Sequence, residues 1–159
     1  MLDNNAGIKY ITVVNNFETL YRALFQSHGV NSDNIVIIDN TLINNPISYN
    51  YNCIIKDLLK DPKPEWLVFC HQDFYIGEDI LLRLHNLDKN CIYGPIGATP
   101  KGLLGMIIQT NGQPIGAECN ECIIDTLDAM CMIINKDIIR KHNLLFDEKL
   151  IILFMTLFM

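Results

Sequence analysis

A chain of 159 residues, half of them hydrophobic, has enough apolar surface for one packed core and too little length for two comfortable domains, so a single domain over 1–159 is expected. Its net charge of −6 and isoelectric point near 5.0 lack the basic stripe that a phosphate backbone attracts, which argues against nucleic acid as a partner. The opening MLDNNAGIKY carries an acid and amides where a signal peptide places positive charge and an apolar run, which predicts a cytoplasmic location.

KYITVVNN (9–16) is a β-branched run ending in two asparagines, and FETLYRALFQSHG (17–29) repeats apolar residues at helical spacing, with Gly29 as a stop. NIVIIDN (34–40) repeats the strand signal and again ends in polar residues. YNCIIKDLLKD (51–61) reads as a second helix closed by Pro62 and Pro64, and WLVFCHQDF (66–74) as a third strand. EDILLRLHNLD (78–88) is a helix that Glu78 and Asp79 would start, and CIYGPIGA (91–98) a strand or extended segment. GLLGMIIQTNGQPIG (102–116) suggests two short strands around Asn111-Gly112. LDAMCMIIN (127–135) is a strand, and KDIIRKHNLL (136–145) a helix for which Asn143 is the natural end. Alternating strand and helix with continuously apolar strands predicts an α/β fold with a mostly parallel, Rossmann-like sheet covered by helices on both faces. The closing LIILFMTLFM (150–159) is about half of the roughly 20 residues a membrane-spanning helix needs, so no transmembrane segment is expected and only peripheral membrane association stays open.

In an open parallel sheet, ligands lie beyond the carboxyl ends of the strands. Three such ends are polar here: Asn15-Asn16, Asp39-Asn40 and His71-Gln72-Asp73. Asparagine-rich loops account for the first two as readily as a ligand does, whereas His71-Gln72-Asp73 follows a buried run with no turn residue between. Neither a Gly-rich dinucleotide loop nor a P-loop follows the first strand, so a bound phosphate would need another holder. Mg²⁺ or Mn²⁺ held by one carboxylate and the ligand's own phosphate oxygens is one, with Asp73 as that carboxylate.

The six cysteines (53, 70, 91, 119, 122, 131) fall mostly in apolar stretches and are expected to stay reduced. Cys119 and Cys122 form a lone C-x-x-C without the further ligands a zinc site requires, which favours packing or a loop. His71, Asp73 and His85 together would suit a metal-dependent hydrolase, but His85 lies beside apolar helix positions where a surface or packing role is commoner. His28 and His142 sit near helix ends, where an imidazolium complements the dipole.

In order, VVNN (13–16), IIDN (37–40), Tyr51-Asn52, VFCHQDFYI (68–76), IYGPIGA (92–98) and DTLDAMCMIINKDIIRKHNLLFDE (125–148) resemble the family-2 nucleotide-sugar glycosyltransferases of GT-A fold, in their bacterial glycosyltransferase-like branch. The resemblance implies metal-assisted, inverting transfer of a sugar from a nucleotide-diphosphate sugar to a hydroxyl of a glycan or glycolipid. It places Asn15 and Asp39 on the base and ribose, Asn52 and Gln72 beside the same nucleotide, Asp73 with His71 at the metal, and Asp128 on the acceptor side as the catalytic carboxylate. In the family, the segment corresponding to Phe146-Asp147-Glu148 leads to an acidic Tyr-Asp-x-Asp-like motif, whereas this chain continues KLIILFMTLFM. Truncation or a frameshift is the expectation, since a TTT codon at Phe154 would place Tyr-Asp in another frame; a native apolar final element is the alternative. A chain so shortened would be a nucleotide-sugar-binding remnant that transfers little.

Overall fold

The computed structural model describes residues 7–149. Ten strands are present among them: β1 (Ile8–Val14), β2 (Ile35–Asp39), β3 (Trp66–Cys70), β4 (Ile92–Tyr93), β5 (Ile96–Thr99), β6 (Gly102–Gly105), β7 (Ile107–Ile108), β8 (Pro114–Ile115), β9 (Thr126–Leu127) and β10 (Cys131–Asn135). Four α-helices accompany them: α1 (Phe17–Arg22), α2 (Ile47–Leu58), α3 (Ile80–Leu84) and α4 (Lys136–His142).

The main sheet has the order β2-β1-β3-β10-β4. Its strands alternate cleanly, as a period of two requires. On one face Ile8, Tyr10, Val14, Trp66, Val68, Cys70 and Cys131 pack with Leu20, Leu24, Ile80 and Leu84 of the α1 and α3 side. On the other, Ile11, Val13, Leu67, Phe69, Met132 and Ile134 pack with Tyr51, Ile55 and Leu58 of α2 and with Ile138 and Ile139 of α4. Burial raises the Cys70 thiol well above its ordinary range and pushes the Cys131 thiol up to about 12, so both stay protonated and serve as small apolar groups.

The mostly parallel, Rossmann-like sheet expected above is not what forms. Only two of the seven strand pairings are parallel, β1 with β2 and β1 with β3; β10 runs antiparallel to both β3 and β4, and the three-stranded sheet β6-β5-β9 and the hairpin β7-β8 are antiparallel throughout. The architecture is a strand-rich, mixed α/β one. The cause lies in the connection: α3 carries the chain from β3 to β4, which runs the same way as β3, and the segment β5 to β9 that follows holds no crossover helix to take it back, so β10 must return antiparallel between them.

Local differences have local causes. The helix expected over 17–29 ends at Arg22 and gives way to a 3₁₀ turn at Leu24–Gln26. Ser27 is buried there, its Oγ accepts from Ile76 N–H at 2.8 Å, and His28 N–H donates to the Ile76 carbonyl at 3.0 Å, bonds that a continuing helix could not make. Helix α2 starts at Ile47, four residues before the apolar pattern becomes obvious, because Asn40 exchanges two 2.9 Å hydrogen bonds with the backbone of Asn45 and turns the chain into it. Asp79 caps α3 through Leu81 N–H, and Asn143 ends α4 with φ of 48°, both as expected. The hairpin at Asn111-Gly112 forms, but only from β7 and β8; Gly102–Gly105 pairs with β5 instead. The expectation of no disulfide is also overturned: Cys119 and Cys122 are bonded, while Cys53, Cys70, Cys91 and Cys131 are free. The apolar segment 150–159, on which the truncation and frameshift expectation rests, lies outside the described residues.

Tyr51, Phe69 and Phe146 form a ring cluster with centroids 5.0 to 5.1 Å apart. Asn52 secures it: Oδ1 accepts from Phe146 N–H at 2.8 Å, and Nδ2 donates to the Phe146 carbonyl at 2.9 Å and to Glu148 Oε1 at 2.8 Å. Replacing Asn52 with Ala would leave the buried Phe146 N–H unpaired, and we expect urea denaturation of Asn52→Ala to show a loss of about 2 kcal/mol. Phe69→Ala opens the ring cluster and is expected to cost roughly 3–5 kcal/mol in the same measurement.

Candidate functional site

Parallel pairing aligns the ends of β1, β2 and β3. Val14 lies opposite Asp39, and Ile11 lies opposite Phe69, so the residues after Val14, at Asp39 and after Cys70 emerge at one edge of the sheet. Strand β10 begins at this edge because Cys131 faces Cys70. The tips that meet there are therefore Asn15-Asn16, Asp39-Asn40, His71-Gln72-Asp73 and Asp128-Ala129-Met130.

Two cross-links hold them. His71 N–H donates to the Met130 carbonyl at 2.9 Å, extending the β3–β10 ladder by one bond. On the other side, the Gln72 carboxamide reaches back to β1. Its Oε1 accepts from Asn15 N–H at 3.1 Å and from Asn16 N–H at 3.0 Å, and its Nε2 donates to Asn15 Oδ1. Asn16 then starts α1, its Oδ1 accepting from Thr19 N–H at 3.1 Å.

Three exposed carboxylates decorate this edge. Asp39 accepts from both the N–H and the hydroxyl of Thr41, at 2.9 and 2.7 Å, and these bonds hold its carboxyl below the ordinary carboxylate range. Asp128 accepts from Met130 N–H at 2.8 Å through one oxygen, leaving the other to solvent. Asp73 is exposed and takes no hydrogen bond or ion pair from any described residue. Beside it in sequence, His71 Nε2 is a buried polar atom without a hydrogen-bond partner.

Asn15, Asp39, His71, Gln72, Asp73 and Asp128 thus lie at the same end of the sheet, with Asn15 and Gln72 in direct contact. Asn52 stands apart in role, since both of its amide hydrogens and its oxygen are engaged by the 146–148 segment. Gln72 likewise already has its amide engaged by β1. Thr41 is a contributor that the strand-end pattern does not include, although Asp39-Asn40-Thr41 is an Asx-turn sequence that points to it. Among the described residues, no group of three or more His, Cys, Asp or Glu is placed to hold a metal ion by itself. A cation held by one carboxylate and phosphate oxygens does not require such a group.

No protein-family model matches the chain, and no curated protein sequence matches it. Among the described residues no helix is long and apolar enough to cross a membrane.

The Asp39 pair carries a pH dependence whose sign follows from its cause. Because the folded-state pKa is lowered, the stabilisation is present above the ordinary carboxylate range and is lost as pH falls through the Asp39 value. Removing the donor in Thr41→Val is expected to move the Asp39 titration, followed by carboxyl NMR shifts, upward toward that ordinary range; an unmoved titration would show that Thr41 is not its cause.

Proposed function

We propose that the chain binds a nucleotide-diphosphate sugar across this edge and transfers the sugar to a hydroxyl of a glycan or glycolipid, with Mg²⁺ or Mn²⁺ as the helper cation. The observation that supports the reading is the pair of cross-links from His71 and Gln72, which set the unpaired, exposed carboxylate of Asp73 beside the ends of β1 and β10. Asn15 and Asp39 would face the base and ribose, and Asp73 would hold the cation, with His71 Nε2 the nearest polar atom in sequence that lacks a partner.

The charge balance favours a cation. The four tips contain three carboxylates and neither Lys nor Arg, so a diphosphate arriving unaccompanied would be repelled. When bound, the metal supplies neutralisation of the charge that develops on the departing diphosphate. Asp128 would accept the proton of an acceptor hydroxyl through the oxygen that Met130 N–H leaves free.

A second reading, binding without transfer, draws support from the residues after Glu148, KLIILFMTLFM, which hold none of the acids that the resemblance leads one to expect there. Calorimetry with UDP-, GDP- and dTDP-sugars, with and without Mn²⁺, tests both. Metal-dependent binding is expected, with Asp73→Ala weakening it by about tenfold or more, or ~1.4 kcal/mol. Release of free nucleotide by the wild type, abolished in Asp128→Asn, would favour transfer over binding alone. Binding that ignores both Mn²⁺ and Asp73→Ala would remove the proposal.

A further inference from the structure

Gln72 holds β1 in an unusual way. Two consecutive backbone N–H groups, those of Asn15 and Asn16, converge on one carboxamide oxygen, while the adjoining amide nitrogen donates to Asn15 Oδ1. The two backbone donors settle the orientation of the carboxamide, because only its oxygen can accept from both. The partners of Gln72 are therefore two donors and one acceptor, set side by side. Groups of that kind accept any ligand that presents a carbonyl directly next to an N–H.

From this geometry we infer that Gln72 is an internal stand-in for the base of the nucleotide. Its carboxamide occupies a recognition triplet, made by Asn15 N–H, Asn16 N–H and Asn15 Oδ1, that reads a lactam edge, and a nucleobase must displace it to bind. The inference rests on the proposed nucleotide site and deepens it by naming the base class. Uracil, thymine and guanine each carry a ring carbonyl beside a ring N–H. Within a nucleotide cytosine and adenine do not: the sugar occupies N1 of cytosine, and where the lactam N–H would lie each base offers an unprotonated ring nitrogen, which meets Asn15 Oδ1 as acceptor against acceptor.

The latch is suited to release. Gln72 is only partly buried, its bonds to β1 are solvent-facing, and neutral exposed hydrogen bonds contribute little net stability because water replaces them. The exchange conserves hydrogen bonds, since the base takes over all three partners while the freed carboxamide is hydrated. A closed latch lowers the apparent affinity by the fraction of time the triplet is open, so removing it tightens binding of the matching base alone.

Calorimetry of UDP and CDP, each with Mn²⁺, on the full chain and on Gln72→Ala and Gln72→Met tests this. The wild type is expected to favour UDP over CDP by about tenfold, as one well-formed paired contact provides. In both variants the ratio of UDP to CDP affinity is expected to rise by about a further threefold or more, an effect on the Asp73 cation being shared by the two nucleotides and cancelling in that ratio. A ratio that stays the same or falls in both variants would show that Gln72 is a strap only and would overturn the inference while leaving the nucleotide site standing. If neither nucleotide binds, the proposed function fails, and the latch is decided by free bases. Millimolar 1-methyluracil, and not 1-methylcytosine, each with N1 blocked as it is in a nucleotide, is then expected to shift the Asn15 and Asn16 amide resonances of Gln72→Ala; unmoved resonances would overturn it.

Discussion

Strand β3 is the constraint from which the rest follows. All five residues of Trp66–Cys70 are buried, so the strand must have apolar cover on both faces and a hydrogen-bonded neighbour on both edges. It finds β1 in parallel and β10 in antiparallel. With both ladders fixed, the place where β3 stops is fixed as well, and the polar residues that follow cannot retreat into the core. His71 continues the bond pattern to β10, Gln72 crosses to β1, and Asp73 is the first residue left to solvent.

Much of this was legible in the residues. The runs KYITVV, IVIID, WLVFC and CMIIN announce their strands, and their polar exits mark the edge where a ligand would sit. Asp79 and Asn143 act as the caps their residue types suggest. Strand direction was not legible: CMIIN is apolar whichever way it runs, and only the course of residues 94–130 makes it antiparallel. Nor were the roles of the amides. Asn52 and Gln72 find their partners 94 and 56 to 57 residues away, and an amide's sequence neighbours say nothing of such distant groups. The break in the 17–29 helix has the same origin, since Ser27 is drawn to Ile76 by a bond across 49 residues that outweighs local helical periodicity.

The edge is chemically coherent in a way that neither its charges nor its amides show alone. Carboxylates at three tips repel a phosphate, while backbone N–H groups and amides at the first tip suit a neutral, hydrogen-bonding group. One end therefore suits a neutral hydrogen-bonding group and the other a cation. Gln72 joins the two, hydrogen-bonded to Asn15 and Asn16 and covalently adjacent to Asp73.

Paramagnetic relaxation tests the cation site most directly. Substoichiometric Mn²⁺ added with UDP to the isotopically labelled chain is predicted to broaden first the amides of Gln72 and Asp73, then those of Asn15, Asn16 and Asp128, and to do so far less when UDP is omitted. Broadening centred instead on the acids at Asp88 or Glu118 to Glu121, or unaffected by the nucleotide, would contradict a diphosphate–metal site at the end of β3.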